Sequence, residues 1–507
     1  MTREVLSPTE EKFERWRRSI GFFLGPVCFL ILYLLPIQSL SPQAHTLAAI
    51  LGLVIIFWIS EAIPIPVTAI LGAILNIILG VAPTKEVFAP FADPIIFLFI
   101  GSFILAEAIT LNNLDKRFAF AIFSIRFIGE SPYRILLACG AISAVISMWL
   151  SNTATAATML PITIGVLKTM DGIHKEAGRV TNIANSGYAT GMMLIVAYGA
   201  SVGGIATPIG TPPNLIGIGL IQNLAGVKIT FFEWMKFALP LTVVMFVFLY
   251  LLIRFLHPPD TVSLKGIKGY IKKARERLGG WSRGEINTAV AFSVAVILWI
   301  LPSLVSMIFG KDAHFSVFLS SRLDEGVVAM LAASLLFVLP VNWKEKRFTI
   351  HWERAVKIDW GTIFLFGGGL SLGKLMFSTG LADAVGKVLV NTTGVSSLWS
   401  ITAVGTLLAI IISETTSNTA SANMVIPIMI ALAKEANVSP IPPALGACLG
   451  ASFGFMLPVS TPPNAIVYGS GIVPILAMVR AGIIFDCIGF LVIVGGLMIL
   501  CPLLGLV

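Results

Sequence analysis

Charged residues make up only 12% of this 507-residue chain, against about 25% in soluble globular proteins. That deficit excludes a soluble enzyme, a nucleic-acid-binding module and a disordered scaffold. Cysteine is nearly as scarce. Cys28, Cys139, Cys448, Cys487 and Cys501 lie in apolar surroundings without CxxC spacing, which argues against a disulfide framework and a thiolate metal site. The five histidines, His45, His174, His257, His314 and His351, all read as falling in polar connections. No catalytic or metal cluster is expected from them, so hydrolytic and redox chemistry have no visible machinery.

What is abundant is apolar. Hydrophobic residues reach 56% and the mean hydropathy is +0.92. The class is an all-α polytopic integral membrane protein. Its 46 Gly and 28 Pro predict helices broken within the bilayer, which is tolerated only where they line a cavity or are buried in protein. A span needs about 20 apolar residues. Segments are expected near 20–36, 47–63, 67–82, 94–113, 187–206, 214–224 with 230–255, 287–309, 325–340, 362–378, 399–412 and 477–505. Two stretches, 134–167 and 399–430, carry a polar Ser-Asn-Thr cluster in an apolar run and predict re-entrant hairpins.

The net charge of +8 reads as the basic bias of cytoplasmic loops, not as a nucleic-acid footprint. Lys116, Arg117 and Arg126 fall in one connection and Lys168, Lys175 and Arg179 in the next. Segment 257–286 holds seven basic residues, and Lys344 to Lys357 form a fourth basic connection. The connections near 83–93, 224–230 and 311–322 are sparse in Lys and Arg. The expected orientation therefore has a cytoplasmic N-terminus and an external C-terminus. The expected organisation is a retained cytoplasmic tail (1–19), a first transmembrane half (20–256), a basic cytoplasmic linker (257–286) and a second half (287–507).

The most informative feature is an internal repeat. Ser151-Asn152-Thr153-Ala154 before Pro161 returns as Ser417-Asn418-Thr419-Ala420 before Pro427, at an offset of 266. Phe97-Leu98-Phe99 with Gly101 returns at an offset of 267 as Phe364-Leu365-Phe366 with Gly368. Thr211-Pro212-Pro213-Asn214 returns at 250 as Thr461-Pro462-Pro463-Asn464. The drop of 16 follows from a longer connection, 171–184, in the first half. An odd number of spans between equivalent blocks makes the repeats inverted, the pattern of secondary transporters with a midplane site.

A Ser-Asn-Thr cluster at membrane depth offers hydroxyls, a carboxamide and free backbone groups. These suit a hard cation through oxygen or a carboxylate through neutral donors. One such cluster could equally be helix packing; two in register argue for a site. Each Pro-Pro pair removes backbone donors and frees carbonyls. Neither motif contains Lys or Arg, so a bound dianion would need helix dipoles and co-bound cations. That makes cation symport the natural mechanism for an anionic substrate. The charges at Glu61, Glu107, Asp359, Lys374, Glu414 and Asp486 read first as interfacial or structural pairing.

The doubled Ser-Asn-Thr, each followed by Thr-Pro-Pro, together with Trp58-Ile59-Ser60-Glu61-Ala62-Ile63-Pro64, resembles the divalent anion/sodium symporter family over nearly the whole chain. The family moves di- and tricarboxylates, or sulfate, with sodium. The resemblance implies a homodimer with scaffold and transport domains, eleven spans, two re-entrant hairpins and elevator-type alternating access. Carried over by position, it implies one sodium site at Ser147, Ser151, Asn152 and Gly210, with Gly203-Gly204 an alternative to Gly210. It implies a second at Ser413, Thr416, Asn418 and Ser460. Substrate carboxylates would meet Asn152, Thr153, Asn418 and Thr419, with Thr211-Pro212 and Thr461-Pro462 closing the pocket. The expected function is symport of a C4-dicarboxylate with at least two sodium ions across a bacterial cytoplasmic membrane. A sodium-independent exchanger, symport of citrate or sulfate, and a passive anion channel are the competing readings.

Overall fold

The computed structural model describes residues 8–125, 128, 130–176, 186–259 and 266–507. Arg126, Arg179 and Lys265 of the basic connections lie outside them, as do the side chains of His174 and Lys175. The first half runs α1 (Pro8–Leu34), α2 (Pro42–Ser60), α3 (Ile65–Ile78), α4 (Thr84–Phe88), α5 (Pro94–Leu111) and α6 (Leu114–Phe123), then α7 (Pro132–Ser147) and α8 (Asn152–Glu176). It continues with α9 (Gly187–Gly204), α10 (Pro212–Leu220) and α11 (Phe231–Leu256). An amphipathic basic helix, α12 (Ile267–Leu278), bridges to α13 (Arg283–Phe309), α14 (His314–Arg322) and α15 (Glu325–Val338). A two-strand ribbon (β1, Pro340–Asn342; β2, Arg347–Phe348) and the single turn α16 (Trp352–Ala355) precede α17 (Trp360–Ser378) and α18 (Leu381–Thr393). The chain ends with α19 (Leu398–Thr415), α20 (Asn418–Glu435), α21 (Ile441–Gly450), α22 (Pro462–Tyr468) and α23 (Ile475–Leu503).

Eight helices are long and apolar enough to cross a bilayer alone. Eleven crossings follow when the 14-residue α3 and α15 and the broken pairs α9/α10 and α21/α22 are added, and α19 is removed as a hairpin arm. Four expectations are corrected here. Segment 399–412 is not a span of its own, because α19 turns back at Thr416–Ser417 into α20. The crossing that the hydropathy reading omitted is α21/α22, whose first piece has only ten residues. Likewise 214–224 belongs with α9, since α10 continues that crossing after an unwound stretch at 205–211. His45 is also within α2, its Nε2 2.7 Å from the Leu32 carbonyl, and not in a connection.

The repeat is physical. Helix α5 packs on α15 as α17 packs on α3, α7 on α9 as α19 on α21, and α10 on α20 as α22 on α8. Glycine explains the first pair. A Cβ at Gly101 would stand 2.5 Å from the Ala329 carbonyl carbon, and one at Gly368 2.7 Å from Ala69 Cβ. Only hydrogen fits at these crossings, so the repeat-equivalent glycines set two equivalent close approaches. Helix α2 is the second crossing and its counterpart α13 the seventh, so the two run in opposite senses and the two repeats have opposite topology.

Candidate functional site

The two hairpins are built alike. Ser151 Oγ accepts from Ala154 N at 3.2 Å and Ser417 Oγ from Ala420 N at 3.2 Å, capping α8 and α20 at their first turns. A cap satisfies a helix-end donor that would otherwise be orphaned at membrane depth. Behind each cap the last residue-pair of the tip closes on itself. Ser147 Oγ donates to Asn152 Oδ1 at 2.8 Å, and Ser413 Oγ to Asn418 Oδ1 at 2.8 Å.

The broken helices are also matched. Thr211 and Thr461 precede α10 and α22 with the same extended geometry, φ −146° and −143°, and the following prolines occupy first-turn positions that need no donor. The asparagine ending each Thr-Pro-Pro-Asn block, left without a role by the sequence reading, is the clamp. Asn214 Nδ2 donates to Gly204 O (2.9 Å) and Thr207 O (2.7 Å). Asn464 Nδ2 donates to Gly454 O (2.9 Å) and Leu457 O (3.1 Å). Each buried carboxamide thus holds the carbonyls of an unwound segment in place.

These contacts gather two oxygen-rich clusters. In the first, a Cβ on Gly204 would meet Asn152 Oδ1 at 2.3 Å, and one on Gly210 would meet Gly204 O at 2.5 Å and Ser147 O at 2.8 Å. Ser147, Asn152, Gly204 and Gly210 therefore surround one point. Gly203 packs instead on the Ala144 backbone. Ser151 adds its cap to the neighbouring cavity wall. In the second cluster Ser413 Oγ also donates to Ala451 O at 2.8 Å, and Ser460 Oγ donates to Glu414 O at 2.9 Å. The Thr416 hydroxyl donates to Ile412 O of its own helix at 2.9 Å. Oxygen donors alone favour a hard cation over a transition metal, and no group of three or more His, Cys, Asp or Glu is assembled among the described residues.

The second cluster has a charge with no counterpart in the first. Glu414 Oε1 accepts from Phe455 N and from Met456 N (2.8 Å), and Oε2 from Ser460 Oγ (2.8 Å). Glu414 thereby pins the unwound stretch between α21 and α22. Its repeat equivalent is Met148, whose carbonyl accepts from Thr207 Oγ1. Asp486, on α23, is 7% exposed and its carboxyl group lies beside that of Glu414.

In front of both clusters lies one cavity of about 440 Å³, within the range of small-molecule sites. Asn152, Thr153, Thr211, Pro212, Asn418, Thr419, Thr461 and Pro462 all line it, so it brings every sequence-predicted substrate residue together. Helices α8, α10 and α20 begin at its wall, each presenting about half a positive charge. The opposite wall is the last two turns of α5, with Glu107, and the segment entering α17, with Lys357 and Asp359. This corrects the expectation that no protein cation stands beside the motifs: Lys357 is far from them in sequence and enters through the fold. Of the other charges, Glu107 pairs with Arg354 at 3.8 Å, Glu61 with Arg17 at 3.3 Å, and Asp359 caps α17.

At the far end of α5 the arrangement is closed. Lys228 Nζ lies 3.0 Å from Asp324 Oδ2 and 3.4 Å from Glu325 Oε2, and Asn223 Nδ2 donates to Asp93 Oδ2 at 3.1 Å. The cavity between these residues is about 30 Å³. The hairpin tips meet the cavity that Lys357 lines.

Comparison with known proteins agrees with this architecture. The sodium:sulfate symporter transmembrane region matches residues 17–507. A sodium-dependent dicarboxylate transporter, SdcS, of Staphylococcus saprophyticus is 35% identical, covering 94% of this chain and 90% of its own. The transporter of the same name in Staphylococcus aureus is 33% identical, covering 94% and 89%. Among solved structures, the YdaH transporter of Alcanivorax borkumensis aligns over 97% of this chain and 98% of its own, with a TM-score of 0.53 and 12% identity. The last is a likeness of fold.

Proposed function

We propose, for a chain that belongs to the divalent anion/sodium symporter family, sodium-coupled symport of a C4-dicarboxylate such as succinate, malate or fumarate. The observation that carries the reading is the convergence of both hairpin tips and both Thr-Pro-Pro turns on one cavity, with an oxygen cluster behind each tip. The names of the staphylococcal relatives support the dicarboxylate over sulfate or citrate. The protein is an integral membrane transporter and not an enzyme.

In this reading Asn152, Thr153, Asn418 and Thr419 donate to the carboxylates, while Thr211-Pro212 and Thr461-Pro462 shape the pocket. Sodium would be held at Ser147, Asn152, Gly204 and Gly210, and at Ser413, Asn418, Ala451 and Ser460, giving at least two ions per substrate. The hairpins with α9–α11 and α21–α23 form the moving unit of an elevator, and the remaining spans form a scaffold that pairs as a homodimer. The membrane is the bacterial cytoplasmic membrane, with the N-terminus inside, the C-terminus outside, and 257–286 as the cytoplasmic linker. In this reading Lys357 belongs to the cytoplasmic face, and the cavity it lines opens inward.

The test is uptake of labelled succinate into proteoliposomes under a sodium gradient. Replacing external sodium with potassium or choline is expected to abolish accumulation. Accumulation without sodium that requires an internal dicarboxylate would establish the exchanger and overturn both cation sites.

A further inference from the structure

The cavity has a single cation among its lining residues, Lys357, and it stands on the wall opposite the hairpins. Two carboxylates share that wall, and both are engaged. Asp359 Oδ1 accepts from Thr362 N at 3.2 Å and Oδ2 from Thr362 Oγ1 at 2.6 Å, while Glu107 faces Arg354. The Lys357 ammonium forms no ion pair or hydrogen bond among the described residues and projects from an exposed position. It is an uncommitted positive charge at the mouth of a site whose deeper donors are all neutral.

The repeat shows that this charge is one-sided. Offsets of 266 and 267 carry position 357 onto Phe91 and Pro90 in the turn that leads into α5. The Phe91 ring packs so closely on α17 that a Cβ at Gly367 would lie 2.6 Å from it. The repeat-equivalent of the lysine is therefore an aromatic ring packed on α17. Lys357 also hangs between α16, which packs on α5, and α17, which packs on α3 and, deeper in at Gly369, on Asn423 of the hairpin arm α20. A carrier whose hairpins shift relative to that wall leaves the charge behind.

We propose that Lys357 is a specificity-determining residue acting on one face only, attracting the outer carboxylate of a bound dianion while the tips face the 344–357 connection. The inference rests on the substrate class proposed above. The tips bind one end of the substrate through amide, hydroxyl and backbone donors. A lysine serves the other end as a flexible point charge and needs no fixed bidentate geometry. Because the ammonium is solvent-exposed, its contribution is modest and screened by salt. The carrier should accordingly have a lower KM for dianions from the Lys357 face than from the opposite one.

The experiment compares sodium-dependent succinate uptake in inside-out and right-side-out vesicles, for wild type and for Lys357→Gln, Lys357→Glu and Lys357→Arg. From the Lys357 face, K357Q should raise KM roughly three- to tenfold, K357E should raise it further, and K357R should restore it. KM from the opposite face should stay within about twofold of wild type. The K357Q effect should shrink when potassium chloride is added at fixed sodium. Equal shifts from both faces, or no recovery in K357R, would make Lys357 a general structural residue and overturn the proposal, as would an unchanged KM from the Lys357 face in K357Q. Wild-type protein that takes up no succinate with sodium from either face would overturn the dicarboxylate reading itself, which is a separate outcome.

Discussion

Gly210→Ala is the sharpest perturbation of the first oxygen cluster, because its geometry leaves no room for accommodation. The added methyl would stand 2.5 Å from Gly204 O, 2.8 Å from Ser147 O and 2.9 Å from Gly204 Cα, where ordinary contact begins at about 3.5 Å. The obstructing atoms are backbone, so up to about 1 Å of displacement must be taken by the carbonyls themselves. Hard cations are held at about 2.3–2.6 Å, and a carbonyl moved that far is no longer a ligand. Overpacking of this kind costs about 1–3 kcal/mol, and each 1.4 kcal/mol is tenfold in affinity. Half-saturating sodium for succinate uptake should therefore rise about five- to a hundredfold. Ser460 occupies the repeat-equivalent place with a Cβ, so the requirement for glycine belongs to the first cluster alone. Gly495→Ala, with open space at its Cβ, should leave sodium dependence unchanged. A G210A protein whose sodium dependence lies within twofold of wild type would remove Gly210 and Gly204 from any cation site.

Asn152→Ala and Asn418→Ala should each reduce succinate affinity about ten- to a hundredfold, the result of losing one buried polar partner worth about 1–3 kcal/mol; equilibrium binding on a correctly folded, monodisperse sample measures it. Thr153→Ala and Thr419→Ala should be milder, since water can replace a hydroxyl at the cavity wall. Lys228→Gln should release the closed end of α5. Burial opposes the Lys228 charge, but Glu325 and Asp324 outweigh it and hold its pKa above the ordinary lysine value, so the pair is intact throughout the neutral range. An exposed pair contributes about 1 kcal/mol at most. The inward-open population should fall correspondingly by up to about fivefold, read as slower labelling of Ala106→Cys from the cytoplasmic face; an unchanged rate would show that the pair does not bias the equilibrium.

Much of this architecture is legible in the sequence because it is written twice. The paired Ser-Asn-Thr and Thr-Pro-Pro blocks identify their positions as equivalent before any contact is known, and all eight proposed substrate residues line one cavity. Elements that depend on one copy alone are harder to read. The crossing α21/α22 escapes a 20-residue hydropathy criterion because Pro462 and an unwound stretch divide it into helices of ten and seven residues. Glu414 reads as one more membrane-depth acid until the fold brings the Phe455 and Met456 amides, some forty residues later, onto its carboxylate. Lys357 is concealed differently: it sits in a basic connection whose composition is fully explained by topology, and only packing turns it toward the cavity. Asn214 and Asn464 had a signal in hand, since an asparagine four residues into each repeated block is invariant between the two halves of this chain.

In the proposed reading, coupling is built into the same repeated side chains. Asn152 and Asn418 each line the substrate cavity and also turn Oδ1 back to a serine hydroxyl of the oxygen cluster behind the tip. A carboxamide has one acceptor and one donor end, so a cation drawn to Oδ1 and a carboxylate drawn to the amide hydrogens polarise the group in the same sense. Each ligand therefore strengthens the other's contact, and by thermodynamic reciprocity the gain is equal in both directions. A tip with neither ligand holds its asparagine only through the Ser147 or Ser413 hydroxyl. Occupation of both sides orders the residue from two directions and offsets the two charges of the dianion with cations that move in the same unit. Neither helix dipoles of about half a charge each nor one exposed lysine achieves that balance. In that reading the two halves of the chain share a design that would place the anion and its cations on opposite ends of one side chain.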